Sequence, residues 1–203
     1  MKAIIKLTVI TSILFSMYSC SKDDDIRLQG HDENRVMDSM HAMMARMEAM
    51  PKTNDPEIDF RKMMIMHHQG AINMGNVQIQ EGQNDSLKRF SQKMIAMQQM
   101  EIMELGDIVE GESVNNSVPA FTREQMDHMM KMDQMADIQF ITGDLDNDFA
   151  TLMILHHNSA IENSEAYLMY GTNAALKVIA MEMIYAQKME IKELSDWLKA
   201  NKR

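Results

Sequence analysis

Cysteine occurs once, tryptophan once and proline three times in 203 residues. One cysteine cannot form an internal disulfide framework or a Cys-based zinc cluster, and three prolines exclude a Pro-rich disordered chain. Aromatic residues supply only 5% of the chain, and Val and Thr are few, so sheets are disfavoured. Basic residues are outnumbered: 20 Lys and Arg face 30 Asp and Glu, for a net charge of −10. A chain of that sign repels phosphate backbones, which sets nucleic-acid binding aside. Attraction of cations fits the charge, although solubility alone would account for it. No nucleophilic triad and no phosphate-cradling Gly-rich loop stands out, so hydrolase and nucleotide readings rank low.

What is abundant is methionine, at 26 residues, together with Gln, Glu, Lys and Ala. These are helix formers. The length suits one domain able to bury a core.

The N-terminus reads as an address. Lys2 and Lys6 form a basic start, an apolar stretch follows over about 7–18, and Ser19-Cys20 closes it. This is the pattern of a secretory signal over 1–19, too short for a membrane-spanning helix. Cys20 sits where a bacterial lipoprotein is cleaved and acylated; Met17-Tyr18-Ser19 is a loose lipobox, and a plain signal peptide with a chance cysteine is the alternative. Ser21-Lys22-Asp23-Asp24-Asp25 begins an acidic tether over 20–31. The expectation is an exported lipoprotein at the periplasmic or outer face of a bacterial outer membrane, lipid-anchored in an oxidising compartment.

The decisive feature is an internal repeat with an offset of 89 residues. Residues 59–108 fall on 148–197 without a gap, with 21 identities in 50 positions. Asp59-Phe60 meets Asp148-Phe149, His67-His68 meets His156-His157, Gly82 meets Gly171, and Met100-Glu101-Ile102 meets Met189-Glu190-Ile191. Met37, Met40 and Met43 meet Met126, Met129 and Met132 further upstream. Each half, 32–111 and 122–203, reads as three helices: about 32–50, 57–81 and 85–110, then 123–139, 146–170 and 174–200, with 112–121 as linker. Asp55-Pro56 is an N-cap followed by proline at the first helical position, Thr122 to Gln125 reads as a capping box, and Gly82 and Gly171 are helix stops. Short turns make the second and third helices antiparallel neighbours. The expected fold is all-α: a four-helix bundle from two repeated hairpins, with the Met-rich first helices outside it or extending it.

Polar residues recur in the seams. His68 and His157 fall on the apolar line of the second helix, and His67 and His156 lie about 100° round, nearer the flank. Gln98 and Glu101, with their copies Gln187 and Glu190, recur in the third helix. Folding the hairpin about its turn brings His68 level with Gln98, and Glu101 level with Met64 one turn further on. A buried polar group needs a partner. Either a His–Glu or His–Gln hydrogen bond locks the register, or the paired histidines hold a metal with Glu or Gln as ligand or orienting group. Imidazole together with thioether suits copper, Cu(I) above all. Zinc would more typically recruit thiolates or three firm His/Glu ligands. A di-iron site needs Glu-x-x-His, which does not occur.

Rows of methionine follow helical spacing: Met37, Met40, Met44 and Met47 beside His41; Met94, Met97, Met100 and Met103; and Met126, Met129, Met130, Met132 and Met135 beside His128. Core packing explains such a row well, since Met adapts to irregular gaps. The runs at 37–50 and 126–135 also read as exposed Met/His clusters for loosely held Cu(I).

Phe60, Met64, His67, His68, Gln69, Gly70, Ala71 and Met74 on one helix, with Gln187, Glu190, Ile191 and Trp197 on a later one, resemble a ferritin-like family of exported bacterial proteins. That family is described as a domain of unknown function and includes periplasmic copper-binding proteins. Gln98, Glu101 and Ile102 match as well, with Ile108 in place of Trp. Two features depart from the pattern: the common proline before the histidines is Met66 and Leu155 here, and the second copy reads His-His-Asn-Ser-Ala-Ile-Glu. The resemblance implies a ferritin-like four-helix bundle and copper handling. The expected function is copper buffering, resistance or delivery without catalysis. Candidate metal residues are His67, His68, His156, His157, Met63, Met64, Met74, Met153, Glu101, Glu190, His41 and His128. Expected partners are the metal ion, a copper-transfer protein and the membrane through the anchor at Cys20, with homo-oligomerisation open. A metal-free structural or partner-binding bundle and a ferritin-like redox enzyme are the rival readings.

Overall fold

A computed structural model describes residues 28–108 and 116–201. The signal segment, Cys20, most of the tether and residues 109–115 lie outside the described residues. Within them the chain is a helical bundle without strands. Six α-helices follow a short 3-10 turn at His31–Glu33: α1 Arg35–Ala49, α2 Pro56–Glu81, α3 Asp85–Asp107, α4 Pro119–Asp137, α5 Leu145–Tyr170 and α6 Ala174–Ala200. None of them is long and apolar enough to cross a membrane.

Short polar side chains start the helices. Asn34 Oδ1 accepts from the Val36 and Met37 amides at 3.0 and 3.1 Å. Asp55 accepts from the Glu57 amide at 2.9 Å ahead of Pro56. Asn84 and Asn173 cap α3 and α6 in the same manner. Each such cap is worth about 1 kcal/mol. The stops at Gly82 and Gly171 are required by close approach rather than by a left-handed backbone. Both residues are extended. A Cβ on Gly82 would sit 2.2 Å from Gln78 Nε2, and one on Gly171 would sit 2.3 Å from the Tyr167 ring.

The loops before α2 and α5 extend the repeat upstream. Asn54 (φ 64°) and Gly143 (φ 73°) hold the same left-handed position, which Gly adopts freely and Asn tolerates. Asp59 accepts from the Thr53 hydroxyl at 2.7 Å and Asp148 from that of Thr142 at 2.8 Å. Each carboxylate also reaches the first helix of the opposite half: Thr122 donates to Asp59 at 3.0 Å, and Asn34 donates to Asp148 at 3.1 Å. Thr122 is therefore not an N-cap. α4 begins three residues earlier, at Pro119, because the hydroxyl is committed to Asp59 and proline fits a first turn, where no amide hydrogen is needed.

The helices form three layers of two. α2 and α5 are the middle pair, α3 and α6 pack on one side of them, and α1 and α4 cover the other. This explains why α2 and α5 bury residues all round rather than along one stripe. The α1 methionines close the core: Met37, Met40, Met43 and Met47 are wholly buried and Met44 nearly so. The run at 37–50 is thus not an exposed cluster. Of the α4 run, Met129 and Met132 are buried, and Met130 and Met135 are exposed. The end of the tether is docked, with the Gln29 amide donating to the Ile141 carbonyl at 2.8 Å.

Candidate metal centre

α2 and α5 run antiparallel, so the middle of one meets the middle of the other. Contacts join Glu57 to Tyr167, His67 to Ser159 and Gln78 to Asp146. At the crossing the rings of His67 and His156 lie 3.7 Å apart, centroid to centroid, with planes inclined at 38°. His67 and His156 are therefore at the seam between halves and not on a flank; the face that looks peripheral in one half is buried by the other. His68 and His157 point the opposite way, toward α3 and α6. Their Nε2 atoms lie 2.7 Å from Glu101 Oε2 and 3.0 Å from Glu190 Oε2. Neither ring nitrogen makes a directed hydrogen bond to its carboxylate, so these are close polar contacts. The rings follow one another as His68, His67, His156 and His157 at 6.4, 3.7 and 5.9 Å. All four are fully buried.

Hydrogen bonding orients the central pair. His156 Nε2 lies 3.1 Å from the His67 carbonyl. A carbonyl only accepts, so Nε2 carries the proton and neutral His156 presents a bare lone pair at Nδ1. His67 Nε2 lies 2.8 Å from Ser159 Oγ, which in turn donates to the His156 carbonyl at 2.8 Å and contacts Met132 Sδ at 3.1 Å. With the hydroxyl proton on the carbonyl, the better acceptor, His67 also carries its proton on Nε2. The Nδ1 atoms of all four histidines are buried without a partner. Burial, and after it the neighbouring imidazoles, hold His67 and His156 well below the usual histidine range. Both are neutral near pH 7, the form that ligates metals without first losing a proton.

Met63, Met64, Met74 and Met153 are wholly buried in the same core. Met132 Sδ touches Ser159 Oγ, the hydroxyl that contacts His67. The counterpart of Met132 is Met43, whose sulfur lies 2.3 Å from where a Cβ of residue 70 would be. Gly70 thus makes room for a thioether where Ser159 carries a hydroxyl. From sequence, Met43 and Met132 belong only to the runs read as loose Cu(I) clusters, and Ser159 is not a candidate. Their signal lay in the repeat, which aligns Gly70 with Ser159 and Met43 with Met132. His41 lies exposed on α1 with Nε2 3.0 Å from Asp137 Oδ1 of α4. His128 is half-buried on α4, its Nδ1 without a partner. Among the described residues, no group of three or more His, Cys, Asp or Glu side chains is arranged to hold a metal ion. The chemistry on offer is a central pair of neutral imidazoles flanked by two further buried imidazoles, with buried thioethers in the same core.

A family profile described as "Domain of unknown function (DUF305)" matches the chain twice, over residues 10–109 and 110–198. No curated protein and no solved structure matches it.

Proposed function

The chain belongs to the DUF305 family and carries its domain twice, and on that footing we propose that it is an extracytoplasmic copper-binding protein that buffers copper or hands it on without catalysing a reaction. One observation carries this reading: four buried imidazoles whose Nδ1 atoms have no partner. A buried polar atom left unpaired costs about 1–3 kcal/mol, so four in one row call for a ligand. Neutral nitrogen and thioether donors favour a soft ion, and Cu(I) is the natural cargo. His67, His68, His156 and His157 supply imidazole, and Met43 and Met132 supply sulfur from α1 and α4. Met63, Met64, Met74 and Met153 are further sulfur donors, and Glu101 and Glu190 orient the outer rings. In this reading the two helix pairs form a ferritin-like four-helix bundle, to which α1 and α4 are additions. Acylation at Cys20 fastens the mature chain to the membrane.

The test is competition with a chromophoric Cu(I) chelator. Wild type withdraws Cu(I), and the variant with all four paired histidines changed to Gln loses that capacity while remaining helical. Equal binding by the two proteins rejects the site. A second reading has its own support: the absence of a ready three-ligand His/Cys/Asp/Glu group among the described residues fits a metal-free bundle whose His–Glu contacts fix the register. That reading stands if wild type binds neither Cu(I) nor Cu(II).

A further inference from the structure

A pocket of about 200 Å³ opens between α4 and α5, lined in part by Lys131, Met132, Met135, Leu155, Ser159 and Glu162. Its residues are graded by depth. Lys131 and Glu162 form an ion pair between the two helices, with side chains 54% and 33% exposed. Met135 is 38% exposed, whereas Met132 and Ser159 are 3% and 2% exposed. Ser159 Oγ touches Met132 Sδ at 3.1 Å and His67 Nε2 at 2.8 Å. The pocket therefore runs from solvent to a hydroxyl that touches the His67 ring.

We propose that this pocket is the port through which a soft monovalent cation reaches His67 and His156, with Met135 and Met132 as successive sulfur contacts. The inference rests on the copper reading above. A cation leaving water needs a ligand at each step inward. Uncharged thioethers supply one to a soft ion while offering little to a hard one. Glu162 provides the only carboxylate in the lining and attracts the ion to the rim. Its pairing with Lys131 is an exposed contact that parts easily. Anions find one cationic group in the lining, Lys131, which is paired with Glu162. The port belongs to one half only. At the equivalent positions the first half has Ala42, Arg46, Gly70 and Asn73, which supply neither the outer thioether nor the carboxylate, and Met43 packs directly onto Gly70.

The test uses the mature chain with Cys20→Ser and Met135→Cys, alkylated with a bulky maleimide at position 135. A control carries the same label at Met97→Cys on the exposed face of α3. Transfer of Cu(I) from a chromophoric chelator is followed by stopped flow, and the bound copper is counted at the end. The label at 135 slows loading at least tenfold with unchanged final stoichiometry, and the label at 97 does not. Equal loading rates overturn the port while leaving the copper reading intact. A wild-type chain that takes up no Cu(I) overturns both. In the unlabelled wild type, substoichiometric Ag(I) shifts the 13C-methyl resonances of Met132 and Met135 and Zn(II) leaves them in place. Shifts confined to other methionines reject the port independently of any substitution.

Discussion

Gln78 Nε2 donates to Asp146 Oδ1 across the two halves at 2.6 Å. The same relation appears at the other end of the α2–α5 pair with Glu57 in the role of Asp146, accepting from the Tyr167 hydroxyl. Each carboxylate also takes backbone amides of the opposite turn: Gln83 donates to Asp146 at 3.1 Å, and Thr172 and Asn173 donate to Glu57 at 2.6 and 3.1 Å. The first turn of each middle helix thus holds the far end of the other. Asp146→Ala strands the wholly buried Gln78 and is expected to cost about 1–3 kcal/mol in urea unfolding. Glu57→Ala should cost a similar amount. Because the locks sit at opposite ends, the two losses should add. A change below about 0.5 kcal/mol in either variant would place the locks at the level of ordinary surface contacts.

Much of the layout was legible because a repeat carries its own alignment. The offset located both middle helices, and folding the turn at residue 83 puts His68 level with Gln98 and Glu101 one turn further on; the structure sets the Glu101 carboxylate, not Gln98, against His68 at 2.7 Å. What a repeat does not encode is how its copies dock. The stacking of His67 on His156 depends on the antiparallel crossing of α2 and α5, and from one helix alone those residues look peripheral. The same limit leaves the α1 methionines open between core and exposed cluster: their row has the spacing of a core face, but nothing within that helix says what covers it. Thr122 was misread because a capping box is a local pattern, and the hydroxyl found a partner 63 residues away in Asp59.

Gly70 and Ser159 should not be interchangeable. A Cβ on Gly70 would meet Met43 Sδ at 2.3 Å and its Cβ at 3.1 Å, and Met43 is wholly buried with little room to retreat. Gly70→Ala is therefore expected to destabilise by about 1–3 kcal/mol despite its better helix propensity. Ser159→Gly removes the partner of His67 Nε2 and should cost a comparable amount through an unpaired buried ring nitrogen. Thermal unfolding of the two variants checks both. A stabilised Gly70→Ala chain would show that Met43 repacks freely.

Replacing Met43 and Met132 by Leu separates packing from ligation. The exchange nearly conserves volume, so each variant should lose less than about 1.5 kcal/mol of stability. The thioether is lost in both. If sulfur serves the imidazole pair, Cu(I) affinity in chelator competition falls by at least tenfold in the double variant while the fold is kept. Undiminished affinity would assign these two methionines to the core alone.

The central histidines also make stability depend on pH in a definite direction. Burial, then the adjacent imidazoles, hold His67 and His156 well below the ordinary histidine value, which is about 6.5 in an unfolded chain. Below that pH the unfolded chain takes up protons at both positions while the folded chain does not. The unfolded state then binds more protons, so stability is fully present above about pH 6.5 and is lost as pH falls toward the depressed folded values. The slope is at most about 1.4 kcal/mol per pH unit for each histidine. Asp133 and Asp148 work in the opposite sense, since burial raises both carboxyls above the usual value. Urea midpoints are therefore compared between wild type and His67→Gln from pH 7 to 5. The midpoint is expected to fall in wild type, and the fall should be shallower in His67→Gln. A wild-type stability that is flat over the interval would mean that the two rings take up protons in the folded chain as readily as in the unfolded one.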